Sequence, residues 1–391
     1  MINSNMKFVK IGDICQVVSG STPKTNIEEY WNGNIKWLTP AEISDDSIII
    51  NNTERHLTNA GFKSANLRLL PEGTVLLSSR APIGKVAIVG SPMSCNQGFK
   101  NLICKSEIFN YYLYYFLKYN TKYLNSLGRG ATFKEISKEI VENIKIPLPS
   151  IENQKEIVKK LHILNHLISI RKQQINKLDL LVKSRFVEMF GDPVYNTIGW
   201  NVKNVGDLCF VTKLAGFEYT EYIKYQNSGD VIMIRGLNVK NNRLKLDDIY
   251  YIDSSVSDML PRSQLKENDI VMTYVGVNIG DVALVDGYNR YHLAPNVAKI
   301  SPHDLTNLNP IFFVYLLAFN KQNFASNATN TAKQALNMEK IRNLQIMLPP
   351  IDIQNQFADF VQQVDKQKFE LQNSMNELNT LYNALLQKYF G

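Results

Sequence analysis

The sequence lacks several features that would place the protein in a membrane or an oxidising compartment. Its 391 residues contain no apolar run near the roughly 20 residues that a membrane-spanning helix needs. Residues 1–5 lack the long apolar core of a secretion signal. The four cysteines show no CxxC spacing, which is typical of a reducing compartment, and Cys15 and Cys209 stand among apolar neighbours that predict buried packing. We therefore expect a cytoplasmic protein that is not associated with a membrane.

Motifs for catalysis are also missing. The chain has no GxxxxGK[ST] phosphate-binding loop, and the pair Gly128 and Gly130 is weak support for a nucleotide site. His162 and His166 are four residues apart, but no glutamate follows His162 as in HExxH. Both histidines fall outside the apolar pattern of their helix, so we expect them to face solvent or a partner. The sequence thus predicts no enzyme activity, no cofactor and no metal.

What the sequence does contain is a long internal repeat. Leu148, Pro149 and Gln154 are followed by a helical pattern that ends in Phe190, and the same residue types recur 200 positions later, ending in Phe390. A period of 200 is far longer than a solenoid repeat of roughly 20 to 50 residues. Weaker similarity between residues 10–15 and 204–209, and between 70–87 and 265–283, extends the repeat toward the N-terminus. The chain is therefore predicted to hold two duplicated domains.

Both helical patterns carry apolar side chains at 4,3 spacing, which is typical of a coiled-coil seam. In the first helix the seam runs from Ile157 to Met189, and in the second from Phe357 to Tyr389. Arg171 and Arg185 interrupt the first seam, whereas Lys368 interrupts the second. Because polar residues at core positions select partners, these different interruptions favour pairing of the two helices with each other. We expect an antiparallel coiled coil within the chain.

The segments before the helices predict an α+β fold, twice. In each copy, short apolar strands bounded by turn residues precede an apolar helix, at 111–119 in the first copy and 311–319 in the second. The tyrosines of the first of these helices are expected to pack in a core. Pro149 and Pro349 precede the long helices, since proline is excluded from helix interiors. The predicted boundaries are 1–146 for the first globular domain, 147–191 for its helix, 192–346 for the second domain and 347–391 for the C-terminal helix.

This order of elements resembles the specificity subunit of type I restriction-modification systems, over essentially the whole chain. The stretches that carry the resemblance include the Leu-Pro sequence before each helix with Gln154 or Gln354 after it. The others are SGSTPK at 19–24, EYWNG at 29–33, IKWLT at 35–39, GATFKEI at 130–136 and IRGLN at 234–238. As a set these stretches are specific.

The resemblance implies that each globular domain is a target recognition domain, which reads one half of a bipartite sequence in double-stranded DNA. It also implies that the helices set the spacer and dock two methyltransferase (modification) subunits, through which restriction subunits join. The net charge of +7 is compatible with a polyanionic partner. Residues 157–189 as one helix would span roughly 50 Å at about 1.5 Å per residue, enough to separate half-sites about one duplex turn apart.

DNA contacts are expected from cationic and amide side chains in loops marked by glycine, serine or proline, since Arg and Lys suit phosphates and guanine while Asn and Gln suit adenine. The candidates in the first domain are Lys24, Ser79, Arg80, Arg129, Thr132 and Lys134. Those in the second domain are Arg235, Asn238, Tyr274, Asn278, Arg290, Lys333 and Gln334. Arg235 and Asn238 rank first because they follow a strand end inside a stretch that resembles the family.

Two other functions remain compatible with the residues. The chain could be the targeting subunit of a methylation-only complex, because cleavage would belong to another polypeptide. It could also be a coiled-coil adaptor whose duplicated domains bind protein or glycan; weak binding to duplex DNA that does not respond to salt would favour this reading.

Overall fold

A computed structural model describes residues 7–44, 47–80, 82–130, 134–326 and 335–391. The chain divides into two compact units, and each long helix contributes one part of its length to each unit. Unit 1 consists of residues 1–173 and 372–391, and unit 2 of residues 174–371.

Unit 1 contains short strands and helices that lead into the first long helix. Its strands are β1 (Phe8–Lys10), β2 (Cys15–Ser19), β3 (Trp31–Leu38), β4 (Ile49–Ile50), β5 (Arg55–Leu57), β6 (Val75–Ser78), β7 (Val86–Val89), β8 (Ser94–Cys95), β9 (Phe99–Cys104) and β10 (Lys145–Pro147). Its helices are α1 (Ile11–Ile14), α2 (Asn59–Ser64), α3 (Asn110–Tyr119), α4 (Thr121–Ser126), α5 (Lys138–Asn143) and the start of α6 (Ile151–Phe190).

Unit 2 repeats this order with additional short elements. Its strands are β11 (Val202–Asn204), β12 (Cys209–Lys213), β13 (Val231–Ile234), β14 (Val239–Lys240), β15 (Asn242–Leu244), β16 (Tyr250–Ile252), β17 (Gln264–Leu265), β18 (Ile270–Thr273), β19 (Val282–Leu284), β20 (Arg290–Leu293), β21 (Val297–Pro302) and β22 (Gln345–Met347). Its helices are α7 (Val205–Leu208), α8 (Gly216–Tyr222), α9 (Ser254–Met259), α10 (Pro310–Phe319), α11 (Lys321–Ser326), α12 (Met338–Arg342) and α13 (Ile351–Phe390), which continues into unit 1.

The sheet topology confirms the duplicated α+β fold. The largest sheet of unit 1 has the order β2-β9-β6-β7-β4, and that of unit 2 has the order β12-β21-β18-β19-β15-β14. A second sheet, β5-β3-β8 in unit 1, corresponds to β16-β13-β20-β17 in unit 2. The pairs β3·β8 and β13·β20 are both parallel. Among the described residues, the terminal strand β14 has no counterpart strand in unit 1, whereas β17 corresponds to the isolated bridge between Leu70 and Met93.

The two long helices pair in opposite directions within each unit, which confirms the predicted antiparallel arrangement. In unit 1, Leu161 near the start of α6 shares the core with Leu386 and Phe390 at the end of α13. In unit 2, Phe186 at the end of α6 lies 5.3 Å from Phe357, near the start of α13, measured between ring centroids. The seam interruption at Lys368 is compensated, because its Nζ lies 2.5 Å from Asp179 Oδ1 on α6.

A buried glutamine ties each long helix to the globular part of its unit. Gln154 Oε1 accepts a hydrogen bond from the Phe109 amide at 2.8 Å, and Gln154 Nε2 donates to the Glu107 and Pro149 carbonyls at 2.9 and 3.0 Å. Gln354 repeats this pattern with the Asn309 amide and the Asn307 and Pro349 carbonyls. Both side chains are fully buried. The shared glutamine is therefore a structural connection between helix and domain.

Side-chain burial tests the smaller predictions made for the tyrosines, the cysteines and the histidines. Tyr112 and Tyr115 of α3 are buried, so these tyrosines pack as expected, and Cys15 is buried as well. Cys209 is buried in the equivalent place in unit 2. The prediction for His162 is wrong, because its ring packs edge-on against Tyr111 and Tyr115 at 4.9 and 5.4 Å. Burial there lowers the pKa of His162. His166 is exposed, as expected.

Candidate nucleic-acid interface

Backbone hydrogen bonds gather several predicted contact residues of unit 1 at the end of β6. The Ser79 amide donates to the Gly98 carbonyl at 2.7 Å, and the Ile136 amide donates to the Ser79 carbonyl at 2.9 Å. Ser79, at the end of β6, therefore lies between the segment 96–98 and the segment 134–136. The loop that carries the exposed Lys24 is adjacent, because the Ser21 amide donates to the Cys95 carbonyl at 3.0 Å.

An ion-pair network lies at the centre of this loop cluster. Glu135 Oε2 accepts from Arg80 Nε at 2.9 Å, and Glu135 Oε1 accepts from Lys100 Nζ at 3.1 Å. The Lys100 side chain is 7% exposed, whereas that of Arg80 is 47% exposed. Partial burial alone would raise the pKa of Glu135, but the hydrogen bonds from Lys100 and Arg80 outweigh it and lower the pKa. Glu135 is thus a carboxylate that holds one buried and one accessible cation.

The other candidates of unit 1 differ in accessibility. Arg129 and Lys134 are exposed on the same cluster, where the Arg129 backbone pairs with that of Glu135. Ser79 is fully buried and its Oγ donates to the Gly98 carbonyl at 3.1 Å, which corrects the prediction that Ser79 touches DNA. Thr132 lies outside the described residues.

Unit 2 builds the same loop cluster with equivalent hydrogen bonds. The Tyr274 amide donates to the Asn296 carbonyl at 3.0 Å, and the Leu336 amide donates to the Tyr274 carbonyl at 2.9 Å. Tyr274 is half-buried, its pKa is raised by burial, and Lys213 Nζ lies 5.5 Å from its ring centroid. Asn278 follows in the same loop and is partly exposed.

Arg235 and Asn238, which the sequence ranked first, are largely used inside unit 2. Arg235 Nη2 donates to the carbonyl and carboxylate of Asp248 at 2.7 and 2.9 Å, and its guanidinium lies 4.5 Å from the Tyr250 ring centroid. Asn238 is fully buried, and its Nδ2 donates to the Lys245 and Asp248 carbonyls at 2.8 and 2.9 Å. Asn238 therefore shapes the loop, which corrects the prediction that it reads a base.

Arg290 is separated from the other candidates of unit 2. The parallel register pairs Arg290 with Val231 at the start of β13, whereas Arg235 follows the end of that strand. Four strand residues correspond to roughly 13 Å at about 3.3 Å each. Arg290 Nη2 lies 2.7 Å from Asp258 Oδ1. Arg290 therefore lies at the opposite end of the strand pair from Arg235, and its contact with DNA stays a prediction. Lys333 and Gln334 lie outside the described residues.

The cluster includes residues that sequence reasoning missed. Glu135 and Lys100 were missed because ion pairs between distant positions leave no local pattern, and Lys100 is in a strand rather than a loop. Val277, in the loop after β18, is fully exposed, and an apolar residue in a loop gives no local signal of a nucleic-acid contact. Lys213 ends β12 next to Tyr274, a proximity that only the folded sheet creates.

Comparison with known proteins identifies the fold and the family. The family described as "Type I restriction modification DNA specificity domain" matches residues 3–180 and 197–381. The chain belongs to this family. It is 31% identical to the type I restriction enzyme MjaIX specificity subunit of Methanocaldococcus jannaschii, over 97% of this chain and 91% of that protein. It is 24% identical to the EcoKI specificity subunit of Escherichia coli K12, over 87% and 80% of the two chains.

Solved structures of the family share the fold. The S subunit of a type I restriction-modification system from M. genitalium superposes with a TM-score of 0.60 at 13% identity, covering 100% of this chain and 98% of that one. A chain from a structural study of type I restriction-modification complex assembly superposes with a TM-score of 0.63 at 18% identity, with the same coverage.

Family membership makes the chain the DNA-specificity subunit of a type I restriction-modification system, with DNA and methyltransferase subunits as its partners. It selects the target, and the chemistry belongs to other subunits. Among the described residues, no group of three or more His, Cys, Asp or Glu side chains could hold a metal ion. None of the helices in the described ranges is both long and apolar enough to cross a membrane.

Proposed function

We propose that the loop cluster of each unit reads one half of a bipartite DNA target. In unit 1 the contacts come from Lys24, Arg80, Arg129 and Lys134, and in unit 2 from Arg235, Tyr274 and Asn278. The observation that carries the proposal is the repeated loop cluster, which presents accessible cations in unit 1 and aromatic and amide groups in unit 2. Phosphates would be met by the cations, and base edges by whichever of these side chains enter the groove.

We assign residues 1–146 and 192–346 to the two target recognition domains, and residues 147–191 and 347–391 to spacer helices. Two modification subunits would dock on these helices, and restriction subunits would join through them. Support comes from large apolar side chains that are exposed along the helices and that a docked partner would cover. They are Ile163, Leu167, Leu180, Leu181 and Val187 on α6, and Phe369 and Leu381 on α13. Because the target is DNA, we place this activity in the cytoplasm.

The test is to co-express the chain with its modification subunit and to map DNA methylation across the genome by single-molecule sequencing. We expect a motif of two short defined halves, and its absence from cells that carry the modification subunit alone. An assembled complex that methylates no defined motif would count against sequence recognition by these loops.

A second experiment assigns the halves. Replacing residues 192–346 with the corresponding part of another family member should change one half of the motif and leave the other half and the spacer unchanged. Inserting one heptad into each of α6 and α13 should lengthen the spacer alone. If the heptad insertions altered the half-sequences, the proposal that the helices set the spacer would be wrong.

A further inference from the structure

The two loop clusters can be compared position by position, because their backbone hydrogen bonds are equivalent. The Ser79 and Tyr274 amides each donate to the residue just before the strand that pairs with β6 or β18, and their carbonyls each accept from the segment before α5 or α12. The backbone bridges Arg80 to Glu135 and Val275 to Ala335 then make these residues counterparts. Leu77 pairs with Lys100 in unit 1 and Met272 with Ala298 in unit 2, so Lys100 corresponds to Ala298.

The three equivalent positions therefore carry charged side chains in unit 1 and uncharged side chains in unit 2. Arg80, Glu135 and Lys100 form an ion-paired network, whereas Val275, Ala335 and Ala298 have no charged group. The loop of unit 2 also adds the fully exposed Val277. The two loop clusters thus share their backbone hydrogen bonds but differ in side-chain chemistry at one accessible place. This difference is suited to discriminating two different half-sequences.

The geometry of Arg80 favours a guanine as the group it reads. Glu135 holds Arg80 through Nε, and within the described residues neither terminal Nη of Arg80 has a hydrogen-bond partner. Two parallel N–H donors on a planar group match the O6 and N7 acceptors of guanine in the major groove. Lysine, with a single compact ammonium, does not offer this planar pair of donors.

We propose, resting on the function proposed above, that Arg80 selects a guanine in the half-site of unit 1, that Glu135 is its positioning residue, and that unit 2 makes no guanine-selective contact at the equivalent position. Glu135 Oε2 accepts from Arg80 Nε while its other oxygen, Oε1, accepts from the buried Lys100, so the two cations bond to separate oxygens of the carboxylate. The Arg80 side chain is held at its Nε and remains 47% exposed, so a base can reach its guanidinium, as readout requires.

The experiment uses the full chain assembled with its modification subunits and a set of duplexes in which each base pair of the wild-type motif is replaced in turn. Arg80→Ala should abolish the preference for guanine at one position of one half-site, a loss of roughly 5- to 150-fold in discrimination. Arg80→Lys should not restore it. Glu135→Gln should weaken discrimination at the same base pair, and the other half-site should be read normally in all variants.

Lys100→Met is the matched control, because it removes a buried charge from the network but leaves the Arg80–Glu135 pair in place. It should change thermal stability without altering the base preference. If Arg80→Ala weakens binding to all duplexes equally and makes the salt dependence shallower, Arg80 contacts phosphate and the inference is overturned. If Lys100→Met relaxes the same base as Glu135→Gln, the network is structural and Glu135 has no positioning role. A wild-type complex without a bipartite motif would instead refute the proposed function itself.

Discussion

Replacing Gln154 with methionine should loosen the attachment of α6 to unit 1. The glutamine is fully buried and makes three hydrogen bonds, to the Phe109 amide and to the Glu107 and Pro149 carbonyls. Methionine has a similar volume, so little cavity forms, but the amide and both carbonyls lose their partner. At about 0.5–1.5 kcal/mol for each bond, the free energy of unfolding of unit 1 should fall by about 2–4 kcal/mol.

Amide hydrogen exchange measures this effect within one unit. In Gln154→Met the Phe109 amide should exchange at least about 30-fold faster, which corresponds to about 2 kcal/mol, while the Asn309 amide of unit 2 stays protected. Gln354→Met should give the reverse pattern, because Gln354 bonds to Asn309. Asn153→Ala, at an exposed neighbouring position, is the control and should change neither amide. Unchanged protection of Phe109 in Gln154→Met would refute the argument that Gln154 connects helix and domain.

Three further predictions concern the core, the pH response and the DNA interface. Phe186→Ala should destabilise unit 2 by about 3–5 kcal/mol in denaturant unfolding, because its buried ring contacts four other phenylalanines. Burial lowers the pKa of His292 below its ordinary value of 6.5, so its contribution to stability is present above that pH and is lost as pH falls below it; His292→Leu should flatten this dependence in thermal unfolding. Lys134→Ala should weaken DNA binding by the complex at all sequences alike and reduce the salt slope by about 1, whereas a change in base preference would contradict a phosphate contact.

Much of the architecture could be predicted from the sequence because the repeat made each copy a check on the other. The long helices, the proline positions before them and the α+β order all have local signals. The partners of polar side chains have none: Asn238 and Arg80 follow strands in similar loops, yet one is buried and the other accessible. The distance between Arg235 and Arg290 has no local signal either, since the parallel pairing of β13 with β20 cannot be read from either strand alone.

The way the loops are held explains how the two units can share a scaffold and still read different sequences. The bonds that fix the loop after β6 join backbone atoms, as in the 2.7 Å contact from the Ser79 amide to the Gly98 carbonyl, and unit 2 repeats them at Tyr274. Backbone bonds form whatever side chain the residue carries, so the exchange of Arg80 for Val275 leaves them intact. Large changes of chemistry at the tip then cost little folding free energy, because the tip side chains are accessible and pack few core groups. The DNA sequence that one unit recognises can therefore change independently of the other, while the buried glutamine and the helix seam keep the supporting structure of each unit the same.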